Sequence, residues 1–328
     1  MRHHRDRWLI GAAATALAGT FLHPGVTLQH SVFEQVVVLD ITQSMNVTDV
    51  QLDGQPVSRL AFAKHALRES LLHLPCGSKV GWAIFTEYRS FLLIAPIEVC
   101  ANLSELRSTL AQIDTRMAWS GNSEVAKGVH SGIGIVKLLP GRPALVFVTD
   151  GHESPPLSPR YRPAFDDKPG DVQGLIVGVG DLLPSAIPKT DPQGQPLGFW
   201  RADEVLQVDP SSQGRGGSVA GELLIDDRAD ATAAAAAPAL GATPGSEHLS
   251  SLREGYLRLL AREQGLAFVR LQSPQGLADA LMAPALARSV PRRADARIAL
   301  AGLAFCLLLA RYAFSRWKRL RSGIASSA

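Results

Sequence analysis

Asp40, Thr42 and Ser44 alternate along "DITQS", Ser123 opens "SEVAKGV", and Asp150 closes "VFVTD". Together they offer two carboxylates and three hydroxyls, all oxygen donors. Such a set suits a hard divalent cation that keeps several waters: Mg²⁺ first, with Ca²⁺ or Mn²⁺ where the geometry relaxes. The set contains neither sulfur nor imidazole, which argues against zinc. Two acids brought together bare repel each other, and a cation between them turns that repulsion into attraction. Taken singly, Thr42 or Ser44 reads as a turn cap; it is the combination at strand ends that points to a metal.

Other chemistries lack their residues. There is no G-x-S-x-G elbow, no H-E-x-x-H and no P-loop. Gly178-x-Gly180 lacks the third glycine of a dinucleotide fingerprint, and the nine histidines are scattered apart from His3 and His4. His152 and Glu153 follow Asp150 directly and are expected to be ordinary exposed loop residues.

These donors need elements to carry them. "VVVLD", starting at Val36, is a continuous β-favouring run that ends in a carboxylate, as a fully covered parallel strand would. "PALVFVTDG" repeats the pattern at Asp150, and "VQGLIVGVG" gives a third strand ending at Gly180. Ser58 can cap a helix in which Leu60, Ala63, Leu67, Leu71 and Leu74 share one face. A shorter helix is expected from Asn102 to Ile113. Ser123 opens another, with Val125, Val129, Ile133 and Val136 inward and Glu124 at its positive end. Strand–helix alternation predicts a three-layer, doubly wound, mostly parallel α/β sheet. In such a sheet, ligands sit where the strands stop.

Two departures from that rhythm are informative. "KVGWAIF" and "FLLIAPI" read as an antiparallel edge hairpin turning at "TEYRS", so paired residue numbers should total about 176. Cys76 and Cys100 satisfy that register, which predicts a disulfide at the hairpin's base and an oxidising compartment. From about 181 to 250 the chain is rich in Pro, Gly and Ala, and is expected to be a flexible insertion in which "GFWRADEVLQVD" adds a short hairpin. A helix, a strand and a final amphipathic helix from Pro274 to Ala287 then close the domain, taken as residues 30–290.

The ends have a different character. The chain has 328 residues and a net charge of +3, but the flanks hold 11 of its basic and 2 of its acidic residues, leaving 22 against 28 between Glu34 and Arg288. The basic balance therefore belongs to the ends and speaks against a nucleic-acid partner. In residues 1–29, "WLIGAAATALAGTFL" is a membrane anchor, or a signal segment cut after Ala16-Leu17-Ala18. "ARIALAGLAFCLLLARYAF", residues 296–314, reads as a transmembrane helix followed by a basic cytoplasmic tail, 315–328. Arg2 to Arg7 and Arg316 to Arg321 then lie inside, which places the bulk of the chain in the periplasm of a bacterial inner membrane; Arg292, Arg293 and Arg297 oppose that orientation.

"DITQS", "SGNSEVAKGV" and "VFVTDG" resemble the von Willebrand factor type A domain and its metal-ion-dependent adhesion site. Thr42 stands where that pattern has Ser and Ser123 where it has Thr; both changes keep the hydroxyl. The resemblance covers about 33–288, and the two-ended membrane layout is similar to bacterial members of the family. "LPCGSKVGWAIFTEYRSFLL" is similar to accessory proteins encoded with periplasmic methanol dehydrogenase, which are associated with loading its calcium. The resemblance implies binding rather than catalysis: a protein partner's Glu or Asp fills the metal's last position, with no small-molecule substrate. Two alternatives stay open. One is an aspartyl-phosphate phosphohydrolase with Asp40 as nucleophile, which wants a phosphate-holding lysine where Lys127 and Lys137 fall on a predicted helix. The other is a metal-free scaffold.

Overall fold

The computed structural model describes residues 2–22, 25–157, 163, 165, 166, 168–191, 193–207 and 245–324. In chain order the elements begin with α1 (Arg2–Thr20), β1 (Gly25–Asp40), β2 (Val50–Leu52), β3 (Gln55–Val57), α2 (Arg59–Ser70), β4 (Lys79–Thr86) and β5 (Arg89–Glu98). Then come α3 (Leu103–Gln112), α4 (Val125–Leu138), β6 (Ala144–Thr149), β7 (Gly174–Gly178), β8 (Ser185–Ala186), β9 (Pro188–Thr190) and β10 (Pro196–Phe199). The last are β11 (Leu249–Ser250), α5 (Glu254–Gln264), β12 (Ala267–Arg270), α6 (Pro274–Leu281), β13 (Ala287–Asp295) and α7 (Arg297–Ile324).

The chain forms two compact units, Val32–Arg288 and a smaller one made of Met1–Ser31 with Ser289–Ala328. In the larger unit the sheet order is β12-β7-β6-β1-β4-β5, parallel except for the antiparallel β4–β5 hairpin. From β1 the chain first moves to β4 and β5, then returns across to β6 and β7. The order therefore reverses beside β1, and the carboxyl end of β1 lies at the switch point where α/β sheets bind ligands.

The apolar run of β1 explains the three layers. Val37 and Leu39 pack with Leu60, Leu67, Leu106 and Leu277, from α2, α3 and α6. Val36 and Val38 face the other way, onto Val129 and Ile133 of α4 and Leu257 of α5. Alternate residues of one strand thus feed opposite cores, and none of the four is more than 1% exposed. Ser58 caps α2, its hydroxyl accepting from the Ala61 N–H at 3.1 Å. Cys76 and Cys100 are joined in a disulfide with Cα atoms 5.3 Å apart. The hairpin above it pairs Thr86 with Arg89 beside the turn and Lys79 with Glu98 at the base, through two register shifts.

Several expected boundaries move. β1 begins at Gly25, well before Val36, and its early part is paired by β13, a strand where the final helix was expected to run on to Ala287. That helix stops at Leu281, and Pro284 begins a short 3₁₀ turn. The hairpin expected in "GFWRADEVLQVD" instead joins β9 to β10. In its described part the expected flexible insertion holds two small antiparallel pairs, β9–β10 and β8–β11; its residues 208–244 lie outside the described residues.

In the smaller unit, Ala13 and Ala16 of α1 pack against Ala304 and Leu307 of α7. The expected membrane span at 296–314 is a helix, but among the described residues no helix is long and apolar enough to cross a membrane. The run from Arg297 to Ala313 carries arginines at 297 and 311 and falls short of the roughly 20 apolar residues that a crossing needs.

The seat of α4 on β4 yields a test, because α4 follows directly on the Ser123 loop. A Cβ on Gly128 would stand 2.2 Å from the Phe85 ring. Gly128→Ala should lower the urea-unfolding free energy by about 1–3 kcal/mol, and adding Phe85→Leu should recover part of the loss. Unchanged unfolding would refute this close approach.

Candidate metal centre

Adjacent parallel strands put the two acids side by side. β1 and β6 are paired so that Leu39 lies level with Val148, and Asp40 and Asp150 therefore emerge together where the sheet ends. Both are fully buried. The Asp40 carboxylate accepts from the Thr42 N–H at 2.9 Å and the Thr42 hydroxyl at 2.7 Å through Oδ1, and from the Thr149 hydroxyl at 2.6 Å through Oδ2. Thr42 Oγ1 and Ser44 Oγ lie 3.4 Å apart.

Asp150 is held by a different set. Its Oδ1 accepts from the His152 N–H at 2.9 Å, and its Oδ2 from Arg59 Nη1 at 2.5 Å and Ser250 Oγ at 3.0 Å. Arg59, fully buried, also grips Asp49 through Nε at 3.0 and 3.1 Å and Nη2 at 2.5 Å. Sequence reasoning passed over both residues. One signal was present: Arg59 is the first residue of α2, where the helix dipole disfavours a cation, so it needed a carboxylate partner. Gly180, with φ 123°, is the other accommodation; a Cβ there would meet Arg59 Nε at 2.6 Å.

The third loop brings in Ser123. It forms bridges to Glu87 in the β4–β5 turn and to Ser154 beyond Asp150, with Ser123 and Ser154 exchanging N–H···O bonds of 2.7 Å. The helix starts at Val125, after Ser123 and Glu124. Its positive end is met by Glu153, whose carboxylate accepts from the Val125 N–H at 2.9 Å, the Ala126 N–H at 3.0 Å and the Tyr256 hydroxyl. His152 and Glu153 are thus buried, at 3% and 8% exposure, and not ordinary exposed loop residues. Glu153 tethers α4 and α5 to the Asp150 loop, a task that the sequence pattern did not reveal.

Burial and neighbours set the charges. Burial, with Asp150 nearby, pushes Asp40 up to about 7 against the pull of its Thr149 and Thr42 hydrogen bonds. For Asp150 burial works in the same sense, but Arg59 and the neighbouring donors outweigh it and hold it below the usual carboxylate range. Burial takes His152 down to about 4, so the ring is neutral. Burial raises Glu153 to about 7, opposed by Tyr256 and the two backbone N–H groups.

Whether the residues fit a cation turns on the hydroxyls. Thr42, Ser44 and Ser123 line one cavity of about 180 Å³, and the buried Ser123 Oγ has no hydrogen-bond partner among the described residues. A buried hydroxyl left unsatisfied is costly unless something outside the protein completes it. Three hydroxyls lining one cavity, with two buried acids at the adjoining strand ends, fit a hard cation. The cluster Cys76, Glu98 and Cys100 is no rival, because its sulfurs are bonded to each other.

No family model and no curated protein matches the chain. Among solved structures, the chain is similar to an aerotolerance-related membrane protein from Bacteroides fragilis, at 17% identity, over 76% of this chain and 96% of that one, with a TM-score of 0.47. A von Willebrand factor type A structure from Catenulispora acidiphila is similar at 12% identity and a TM-score of 0.37 over 85% of this chain, which spans 45% of that one. A membrane-spanning protein from Vibrio fischeri is similar at 12% identity and a TM-score of 0.28, over 74% of this chain and 93% of that one.

The role of Arg59 can be measured. Arg59→Met leaves Asp49 and Asp150 buried without their cation and should lower unfolding free energy by about 3–5 kcal/mol; Arg59→Met with Asp49→Asn should recover much of it. A single variant as stable as wild type would show that the pair carries no structural role.

Proposed function

We infer that this chain is a von Willebrand factor type A-type protein whose Asp40, Thr42, Ser44, Ser123 and Asp150 hold a divalent cation, Mg²⁺ or else Ca²⁺ or Mn²⁺, and that the cation docks a carboxylate from a partner protein. The observation that carries this reading is the convergence of two buried acids with three hydroxyls, one of them without a partner among the described residues, at the switch point of the sheet. The hydroxyls of Thr42, Ser44 and Ser123 would contact the ion, with Asp40 and Asp150 supplying charge. Arg59 tempers that charge, so an ion held here retains attraction for a further anion. The ion supplies Coulomb attraction for an incoming Glu or Asp.

The chain's own residues support docking over catalysis. Both oxygens of Asp40 already accept hydrogen bonds, Lys127 is paired with Glu124, and Lys137 is paired with Asp171, far from the phosphate-holding role that a phosphohydrolase needs. The disulfide and the basic ends support a periplasmic location with the chain tethered at a bacterial inner membrane. The partner we propose is a periplasmic enzyme whose assembly or metal loading is assisted, of the methanol dehydrogenase kind suggested by the hairpin sequence.

Three measurements test the reading. Because Asp40 sits at about 7, a cation must displace its proton below that pH, so Mg²⁺ affinity by titration calorimetry should rise from pH 6 to pH 8, approaching tenfold per unit on the acid side. The sign for stability is opposite. A carboxyl with a raised folded pKa binds protons in the folded state that the unfolded state has released, so the EDTA-treated chain should lose stability as pH climbs from about 4 through 7, and saturating Mg²⁺ should offset the loss. In membranes, partner capture should need Mg²⁺ and disappear with Asp40→Ala; undiminished capture by that variant would end the docking reading.

A further inference from the structure

The inserted segment builds a wall beside the hydroxyl cluster. Its strand β8 pairs with β11, and Trp200 is anchored twice: its N–H bonds the Ile187 carbonyl at 3.0 Å, and its indole Nε1–H donates to Gln43, next to Thr42. Lys189 lies over the indole ring, 4.4 Å from its centroid, and fixes the ring's other side. The about 180 Å³ cavity that begins at Thr42, Ser44 and Ser123 is completed by Ile187, Trp200 and Leu206.

The lining of this cavity is divided in character. Two buried polar atoms in it have no partner among the described residues, Ser123 Oγ and His152 Nδ1, and both residues are over nine-tenths buried. The acids nearby are already matched, Glu247 with Arg253 at 3.4 Å and Glu204 with Lys189 at 2.8 Å. The opposite side is apolar, and Leu206 is 57% exposed at the rim although it is a large aliphatic side chain. Other large apolar residues of the same segment, Leu183, Leu197 and Phe199, are also more than half exposed. At about 180 Å³ the cavity is smaller than the roughly 300–1,000 Å³ of sites for whole drug-sized ligands, and it suits one or two side chains.

We propose that this cavity is a two-part receptor for a partner protein's loop: the hydroxyl side takes an Asp or Glu, and the wall of Ile187, Trp200 and Leu206 takes a large apolar side chain next to it in sequence. His152 Nδ1 meets a polar atom of the loop between the two. The proposal rests on the metal-docking reading and adds the partner's sequence chemistry, which the metal alone does not select.

The test is selection of phage-displayed random heptapeptides on the full chain in detergent micelles with Mg²⁺. Selected peptides should carry Asp or Glu beside Leu, Ile or Phe. Replacing the apolar residue of a selected peptide by Ala should weaken binding about tenfold. Against Leu206→Ser, an exposed position that tolerates change, and against Trp200→Ala, that difference should shrink to about twofold or less. Enrichment of acids with no apolar neighbour, or an apolar preference unchanged in both variants, overturns the two-part receptor and leaves carboxylate docking standing. Peptides selected equally well in EDTA overturn both, as does failure of any peptide to enrich on a chain that binds Mg²⁺ by calorimetry.

Discussion

Two carboxylates at neighbouring strand ends, both without solvent, are the constraint around which the molecule is arranged. The pairing of β1 with β6 forces Asp40 and Asp150 together, and burial removes the water that would screen them. The chain resolves the repulsion asymmetrically. Arg59 keeps Asp150 ionised, whereas Asp40 rises to about 7 and can take a proton when no cation is near. A second acid, Asp49, balances the arginine from its other side.

The same loops that carry the donors are tied to distant helices. Glu153, three residues past Asp150, satisfies the first N–H groups of α4 and receives the hydroxyl of Tyr256 from α5. Ser123 is bridged to the Asp150 loop and to the β4–β5 turn. Hydrogen bonds thus join the Asp150 loop to both helices that cover one face of the sheet. The insertion contributes on the opposite side of the cavity: Asp181 gives its N–H to Asp49 at 3.0 Å, and its neighbours supply Trp200 and Ile187. The described part of a segment that composition marks as unlikely to make a core of its own is held by hydrogen bonds to Asp49 and Gln43.

In several places one local signal has two tertiary meanings. "HES" after Asp150 is polar and short, which is how a surface loop looks, yet Glu153 is buried because helix α4 ends its dipole there. "PQGLADALMAPALA" has helical periodicity throughout, but the prolines at 274 and 284 allow only one short helix before the chain joins β13. The early half of β1 alternates polar and apolar residues weakly, and its pairing with β13 holds it extended. Arg59 was visible as a cation at the wrong end of a helix, although its partners, Asp49 and Asp150, lie 10 and 91 residues away.

By itself the sequence determined the continuous apolar run of β1, the helix faces of α2 and α4, the strand-end positions of Asp40 and Asp150, and the hairpin register that joins Cys76 to Cys100. These rest on nearest-neighbour sterics and on the burial of alternate residues, which act over a few positions and leave a pattern in the chain. Tertiary structure alone decided that Arg59 neutralises Asp150, that Glu153 caps α4, and that Trp200 walls the cavity. Each depends on the Coulomb energy or hydrogen bonding of groups far apart in sequence, whose meeting is set by the order of strands in the sheet and by no local spacing.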